Sequence, residues 1–219
     1  MGNWSATGLI NPNVYALAID PQTPATLYAG THYYSGYYGG VYKSTNGGES
    51  WSATGLNAEV LGLAIDPLTP TTLYAATGYG AVKSIDGGVS WTQVNGISAV
   101  FVVAIDPLTP TTLYVGTSYG VFKSLDGGVS WKPLNPGGHT DALVIDPQTP
   151  ATLYAASGGV FKSTDGGESW TAVNTGLTDY VRTLAIDPQT PATLYAGTDG
   201  GSVFVFNGGS APPLPALHV

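Results

Sequence analysis

Cysteine is absent from the 219 residues, so neither a disulfide nor a thiolate metal site is open to this chain. Charge is scarce as well: 9% of residues are charged, and six Lys and Arg stand against 14 Asp and Glu, for a net charge of −8. Phosphate backbones and anionic lipid surfaces require clustered cations, so neither nucleic acid nor membrane is an expected partner. No apolar run approaches the ~18 residues of a transmembrane helix. The start, MGNWSATGL, has no signal-peptide hydrophobic stretch. Its Met-Gly also reads as an expression remnant, which leaves a removed export signal open and the compartment unread.

Glycine and proline are plentiful, at 31 and 16 residues, beside a hydrophobic content of 43%. That much apolar material argues against disorder. The composition fits a folded chain of many short strands joined by tight turns.

One phrase recurs five times: IDPQTPATLYAG from Ile19, IDPLTPTTLYAA from Ile65, IDPLTPTTLYVG from Ile105, IDPQTPATLYAA from Ile145 and IDPQTPATLYAG from Ile186. Its aspartates, Asp20, Asp66, Asp106, Asp146 and Asp187, are spaced 46, 40, 40 and 41 apart. A period near 40 with several strands per unit predicts propeller blades. Strand A is the apolar stretch before Asp-Pro, and the Asp-Pro-x-Thr-Pro segment must turn because each proline lacks a donor. Strand B is Thr-Leu-Tyr-Ala, and strand C is the Val-Tyr/Phe-Lys-Ser stretch. A Gly-Gly hairpin then leads to strand D, which begins at a tryptophan.

The C–D hairpins read KSTNGGESW (Lys43 to Trp51), KSIDGGVSW (Lys83 to Trp91), KSLDGGVSW (Lys123 to Trp131) and KSTDGGESW (Lys162 to Trp170). They resemble the Asp-box, or BNR, motif S-x-D-x-G-x-x-W. The resemblance spans nearly the whole chain and implies the propeller fold of sialidases, xyloglucan-hydrolysing glycosidases, sortilin-type receptors and photosystem II assembly-factor-like proteins. It also favours an extracytoplasmic setting. On physical grounds Asp86, Asp126 and Asp165 accept from the turn's own N–H groups, the glycines supply positive φ, and Asn46 can still accept.

NWSATGL (Asn3 to Leu9) copies SWSATGL (Ser50 to Leu56), so Trp4 begins a strand D with no blade before it. At the other end SVFVFNGGS (Ser202 to Ser210) keeps strand C and loses the tryptophan. The expected fold is therefore all-β: a single five-bladed β-propeller of four-stranded antiparallel blades over residues 1–210. Its N-terminal strand is expected to complete the fifth blade, which would remove two exposed edges. Residues 211–219 read as a Pro-rich extension, and the closed ring as a monomer.

The A–B and C–D turns form one face, nearly uniform from blade to blade. The B–C and D–A loops form the other, where the repeats differ. Eight tyrosines outside the repeated phrase fall on that variable face: Tyr15, Tyr33, Tyr34, Tyr37, Tyr38, Tyr79, Tyr119 and Tyr180. Aligning strand A isolates one variable row, Tyr15, Leu61, Phe101, Asp141 and Arg182. A second row is Asn13, Glu59, Ala99, His139 and Tyr180. Asp141 and Arg182 fall at the same level of adjacent blades, as a salt bridge or as a polar anchor in a ligand pocket.

Catalysis is not expected. The sialidase resemblance implies an arginine triad, whereas this chain has one arginine, Arg182. The xyloglucan-hydrolase resemblance implies two separated carboxylates in a cleft between two propellers. Glu59, Asp141, Asp179 and Asp199 remain on the variable face, with no spacing that singles out a pair. Gly116 to Gly120 formally matches G-x-S-x-G but spans a hairpin instead of a strand-to-helix elbow. His32, His139 and Asp141 lack metal-ligand spacing, so neither metal nor cofactor is expected. The reading is a non-catalytic module binding a glycan or a protein surface. Its candidate contacts are Tyr15, Tyr33, Tyr34, Tyr37, Tyr38, Glu59, Tyr79, Tyr119, His139, Asp141, Asp179, Tyr180 and Arg182. A bare repeat scaffold, natural or engineered, is the first alternative and a glycoside hydrolase the second.

Overall fold

The computed structural model of the chain describes residues 5–9, 13–32, 39–135 and 138–208. Among these residues there is no helix. The first blade contains β1 (Asn13–Ile19), β2 (Leu27–His32), β3 (Gly40–Ser44) and β4 (Ser52–Asn57). The second contains β5 (Val60–Ile65), β6 (Leu73–Thr77), β7 (Gly80–Ser84) and β8 (Thr92–Val94). The third contains β9 (Val100–Ile105), β10 (Leu113–Thr117), β11 (Gly120–Ser124) and β12 (Lys132–Leu134). The fourth contains β13 (Ala142–Ile145), β14 (Leu153–Ala156), β15 (Val160–Ser163) and β16 (Thr171–Ala172). The fifth contains β17 (Val181–Ile186), β18 (Thr193–Thr198) and β19 (Val203–Asn207). Every sheet is an antiparallel meander in sequence order.

Local chemistry makes each blade. In the A–B turn the aspartate carboxylate accepts two backbone N–H groups; Asp66 Oδ1 takes those of Leu68 and Thr69 at 2.9 and 3.0 Å. In the C–D hairpin Ser84 donates to Asp86 and accepts from the Gly88 N–H, while Asp86 accepts from the Ser90 N–H and hydroxyl at 2.9 and 2.6 Å. The paired glycines hold the left-handed backbone that closes this loop, with φ of 70° and 91° at Gly87 and Gly88. Asn46 fills the same place in the first blade: its oxygen accepts from Ser44 and the Ser50 N–H, and its amide donates to the Ser50 hydroxyl.

Packing between blades makes the core. Buried apolar clusters join the first and second, second and third, third and fourth, and fourth and fifth blades. The repeated Leu-Tyr phrase supplies both sides. Leu73, Leu113 and Leu153 are fully buried, and the Tyr28, Tyr74 and Tyr114 hydroxyls donate to the Gly87, Gly127 and Gly166 carbonyls of the following blade at 3.1–3.2 Å. Lys43, Lys83 and Lys123 donate to those same carbonyls while lying over the tyrosine rings, 5.1–5.3 Å from the centroids. Burial pushes the Tyr114 hydroxyl pKa up to about 12, so it stays a donor. The strand C lysine and the strand B tyrosine thus form a clamp that a reading of single blades does not reveal.

The fifth blade has three strands among the described residues. Its hairpin differs too. Phe206 stands where the other blades place serine, opposite the strand B leucine, and packs edge-on against Tyr154 at 6.3 Å. The turn is one residue shorter, with the Gly208 N–H bonding to Ala192 as Gly127 bonds to Thr111. Residues 5–9 pair with no strand of that blade. Thr7 instead lies against Gly48 of the first blade, as Thr54 lies against Gly88 of the second, and the Gly8 N–H reaches the Gly48 carbonyl at 3.3 Å. Trp4 and residues 211–219 lie outside the described residues.

Candidate functional site

The loop face is shaped by a feature of backbone register. In four blades the A–B ladder shifts by one residue near the start of strand A: between Val14 and Ala16, Val60 and Gly62, Val100 and Val102, and Val181 and Thr183. The residue left unpaired by each bulge is Tyr15, Leu61, Phe101 or Arg182. This is the variable row of the sequence alignment. A bulge bends its strand and re-aims the extra side chain, so the fold lifts this row out of the regular ladder. In the fourth blade Asp141 holds the place, its N–H bonded to the Ala156 carbonyl at 3.0 Å.

Asp141 is the hub. Its side chain is mostly buried and accepts from the Tyr180 hydroxyl at 2.7 Å, from Arg182 Nη1 at 3.2 Å, and lies 3.2 Å from His139 Nε2. Arg182 spends its fork on Asp199, with Nε to Oδ1 at 2.7 Å and Nη2 to Oδ2 at 2.9 Å. Its guanidinium also lies over the Tyr180 ring, 4.6 Å from the centroid. The Asp141 carboxylate raises the pKa of the Tyr180 hydroxyl that donates to it, assisted by partial burial. The Arg182 hydrogen bonds lower that of Asp199, and Asp199 in turn keeps Arg182 firmly protonated. One cation thus holds two carboxylates from the fourth and fifth blades in a single ordered network.

The network extends sideways through rings. His139 stacks at a tilt on Phe101 of the third blade, with centroids 4.3 Å apart. In a second group His32 lies 3.2 Å from Glu59 and 5.1 Å from the Tyr15 ring. Tyr79 and Tyr119 sit in the B–C turns of the second and third blades, 86% and 73% exposed. Between them on the D–A side, Ala99 adopts a φ of 51°, a left-handed conformation that costs an alanine roughly 1–2 kcal/mol.

Of the residues singled out from sequence, Asp141, Tyr180, Arg182 and His139 come together. Tyr15 and Glu59 form a second group around His32. Tyr79 and Tyr119 stand apart as exposed rings. Asp179 does not join the network: its carboxylate accepts from Thr178 at 3.0 Å and lies over Gly200. Tyr33, Tyr34, Tyr37 and Tyr38 lie outside the described residues. Asp199, the principal partner of Arg182, falls on the variable face in the sequence reading but not among its candidate contacts. The signal that could have found it is register, because its N–H pairs with the Tyr180 carbonyl at 3.0 Å and so sets it beside strand A. The two histidines belong to separate groups, and among the described residues no three His, Cys, Asp or Glu cluster as metal ligands would.

No protein-family model matches the chain, and no curated protein sequence does. Solved structures do. The chain is similar to an ancestral GH74 enzyme, with 26% identity and a TM-score of 0.70, over 89% of this chain and 29% of that one. It is similar to the GH74 xyloglucanase from Xanthomonas campestris, with 18% identity and a TM-score of 0.59, over 91% and 46% of the two chains. It is also similar to YCF48 bound to D1 peptide, with 14% identity and a TM-score of 0.67, over 93% and 68%. The chain therefore spans less than half the length of these GH74 enzymes and about two thirds of YCF48. These likenesses support the β-propeller architecture of the five sheets.

Proposed function

We propose that the chain is an Asp-box repeat propeller acting as a non-catalytic binding module, engaging a glycan or protein surface through its loop face. The observation that carries this reading is the bulge row. A residue that differs in all five otherwise similar blades occupies an out-of-ladder position in four of them. A pre-ordered Tyr180–Arg182–Asp141 platform, with exposed Tyr79 and Tyr119 in the B–C turns of other blades, offers rigid rings and fixed polar groups at small entropic cost. The likeness to a structure carrying a bound peptide supports a protein ligand; the likeness to a xyloglucanase supports a glycan.

Hydrolysis fits the site less well. A glycosidase general acid needs a carboxyl with raised pKa, whereas Asp199 is lowered and Asp141 is shared among three partners. The test titrates xyloglucan oligosaccharides and a peptide library into the protein and into Arg182→Gln. Saturable binding that weakens about tenfold or more at unchanged melting temperature supports the module. Silence toward both ligand classes points to the bare scaffold. Sugar release that disappears in Asp141→Asn points to the hydrolase.

A further inference from the structure

Each blade packs on the next through the same two surfaces. The leading surface carries the strand B tyrosine and the strand C valine or alanine; the receiving surface carries the strand A valine and leucine, the strand B leucine and the tryptophan. Four such interfaces lie within the chain, and at each the contributing side chains are buried. Tyr28, Tyr74, Tyr114 and Tyr154 are at most 2% exposed, and so are Val41, Ala81, Val121 and Val160.

Two copies of those surfaces are left exposed among the described residues. On the fifth blade Tyr195 is 44% exposed and Val203, the equivalent of Val121, is 76% exposed. On the first blade Val14 is 49% exposed where Val60, Val100 and Val181 are fully buried, and Leu17 and Ile19 are exposed beside it. Val205 replaces the lysine of the other blades, so the fifth surface carries no charge at that place. The two surfaces are the complementary halves of an interface already seen four times. Among the described residues strand A of each blade packs on that of the next, β1 to β5 to β9 to β13 to β17, and no comparable packing joins β17 to β1.

The third observation is a cavity of about 160 Å³ between the fourth and fifth blades, lined by Val160, Val173, Leu177, Leu194, Phe204 and Phe206. Val173, Leu177, Leu194 and Phe204 correspond in the repeat to Val94, Ile97, Leu113 and Phe122. Those four belong to the cluster on which Trp131 packs. The cavity is thus apolar on the walls that, two interfaces earlier in the ring, pack against an indole. The fifth blade has no tryptophan of its own. Trp4 heads a segment that copies a strand D, and Thr7 and Gly8 of that segment already ride on the first blade.

We infer that a second copy of this chain completes the fifth blade: its first blade docks on Tyr195 and Val203, its residues 4–9 add the fourth strand beside β19, and its Trp4 indole enters the cavity. The contact is head to tail, so it builds either a closed ring of more than one chain or a longer array, according to the rotation at the joint. Adding the strand also pairs the open edge of β19, which otherwise presents unpaired backbone groups.

The absence of native cysteine makes the test clean. In the other blades the residue after the tryptophan faces the strand C lysine, as Ser52 faces Lys43. Ser5 is therefore expected to face Val205, at a separation that a disulfide spans. Under mild oxidation, Ser5→Cys mixed with Val205→Cys is expected to form a linked dimer at least about tenfold faster than either variant alone, with mass rising with concentration in sedimentation. Val203→Glu, at a site exposed in the single chain, is expected to abolish that rise without loss of melting temperature. A Ser5→Cys/Val205→Cys double variant that cross-links within one chain and remains monomeric overturns the inference in favour of self-closure. Failure of the mixed pair to link, or a Val203→Glu protein that associates as before, overturns it as well.

Discussion

The turn face and the loop face are built on the same five sheets yet obey different rules. On the turn face one solution recurs: an aspartate closes the A–B turn in all five blades, a serine with an acidic or amide side chain closes the C–D hairpin in the first four, and a tyrosine–lysine clamp holds the next glycine in the first three. The carboxylates and serines of these turns are answered within a few residues, and the tyrosines and lysines of the clamp by the adjacent blade. On the loop face four blades share a bulge carrying a tyrosine, leucine, phenylalanine or arginine, and an aspartate holds the same place in the fourth blade. Stability is concentrated on one face, and freedom to vary is left on the other.

The largest expected effect breaks the turn face alone. Tyr114→Ala removes a fully buried ring together with its bond to Gly166, and should cost about 3–5 kcal/mol in urea unfolding. Tyr119→Ala, five residues on but exposed on the other face, should stay within about 0.5 kcal/mol. Equal losses would erase the distinction.

Acid should also act first through the turn face. Ser90 and Ser84 hold Asp86 down to about 2, and Ser169 and Ser163 hold Asp165 there as well; Asp126 is lowered in the same way. A depressed carboxyl contributes stability that is present above its unfolded pKa, near 3.9, and is lost as pH falls through the folded value. Stability should therefore drop between about pH 4 and pH 2. Replacing Asp86, Asp126 and Asp165 together with Asn, as Asn46 already stands in the first blade, should flatten that fall. It should not abolish it, because Asp187 and Asp199 are lowered too. Thermal melts across this range check the sign.

The smallest effect probes the loop face. Ala99→Gly relieves a left-handed alanine, worth roughly 1–2 kcal/mol, against about 0.5–1 kcal/mol of extra unfolded-chain entropy. A net gain below about 1 kcal/mol is expected. A loss would mean that the alanine methyl contributes packing on this face.

Much of the fold was legible because its decisive interactions are local. Asp86 reaches Ser90 and Ser84 within four residues, and Asp66 reaches Leu68 and Thr69 within three. Such turns are encoded wherever the phrase recurs, so repeat number, strand order and the division into two faces follow from spacing. The site was legible only in outline. The alignment placed Asp141 and Arg182 at one level, but Arg182 directs its fork to Asp199, 17 residues on. That choice depends on how the B–C turn of the fifth blade folds back beside strand A. The tyrosine–lysine clamp escaped for a related reason, since its acceptor lies 43 to 59 residues away in the next blade.

By itself the sequence determined five repeats, their turns, and the side chains free to differ, because glycine φ, proline restraint and short-range aspartate hydrogen bonds operate within a few residues of chain. Only the tertiary structure decided that the variable row sits on bulges in four blades, that one arginine binds two carboxylates, and that the first and fifth blades present matching exposed surfaces. Each of these is settled by how sheets twist and stack on their neighbours, which no single repeat contains.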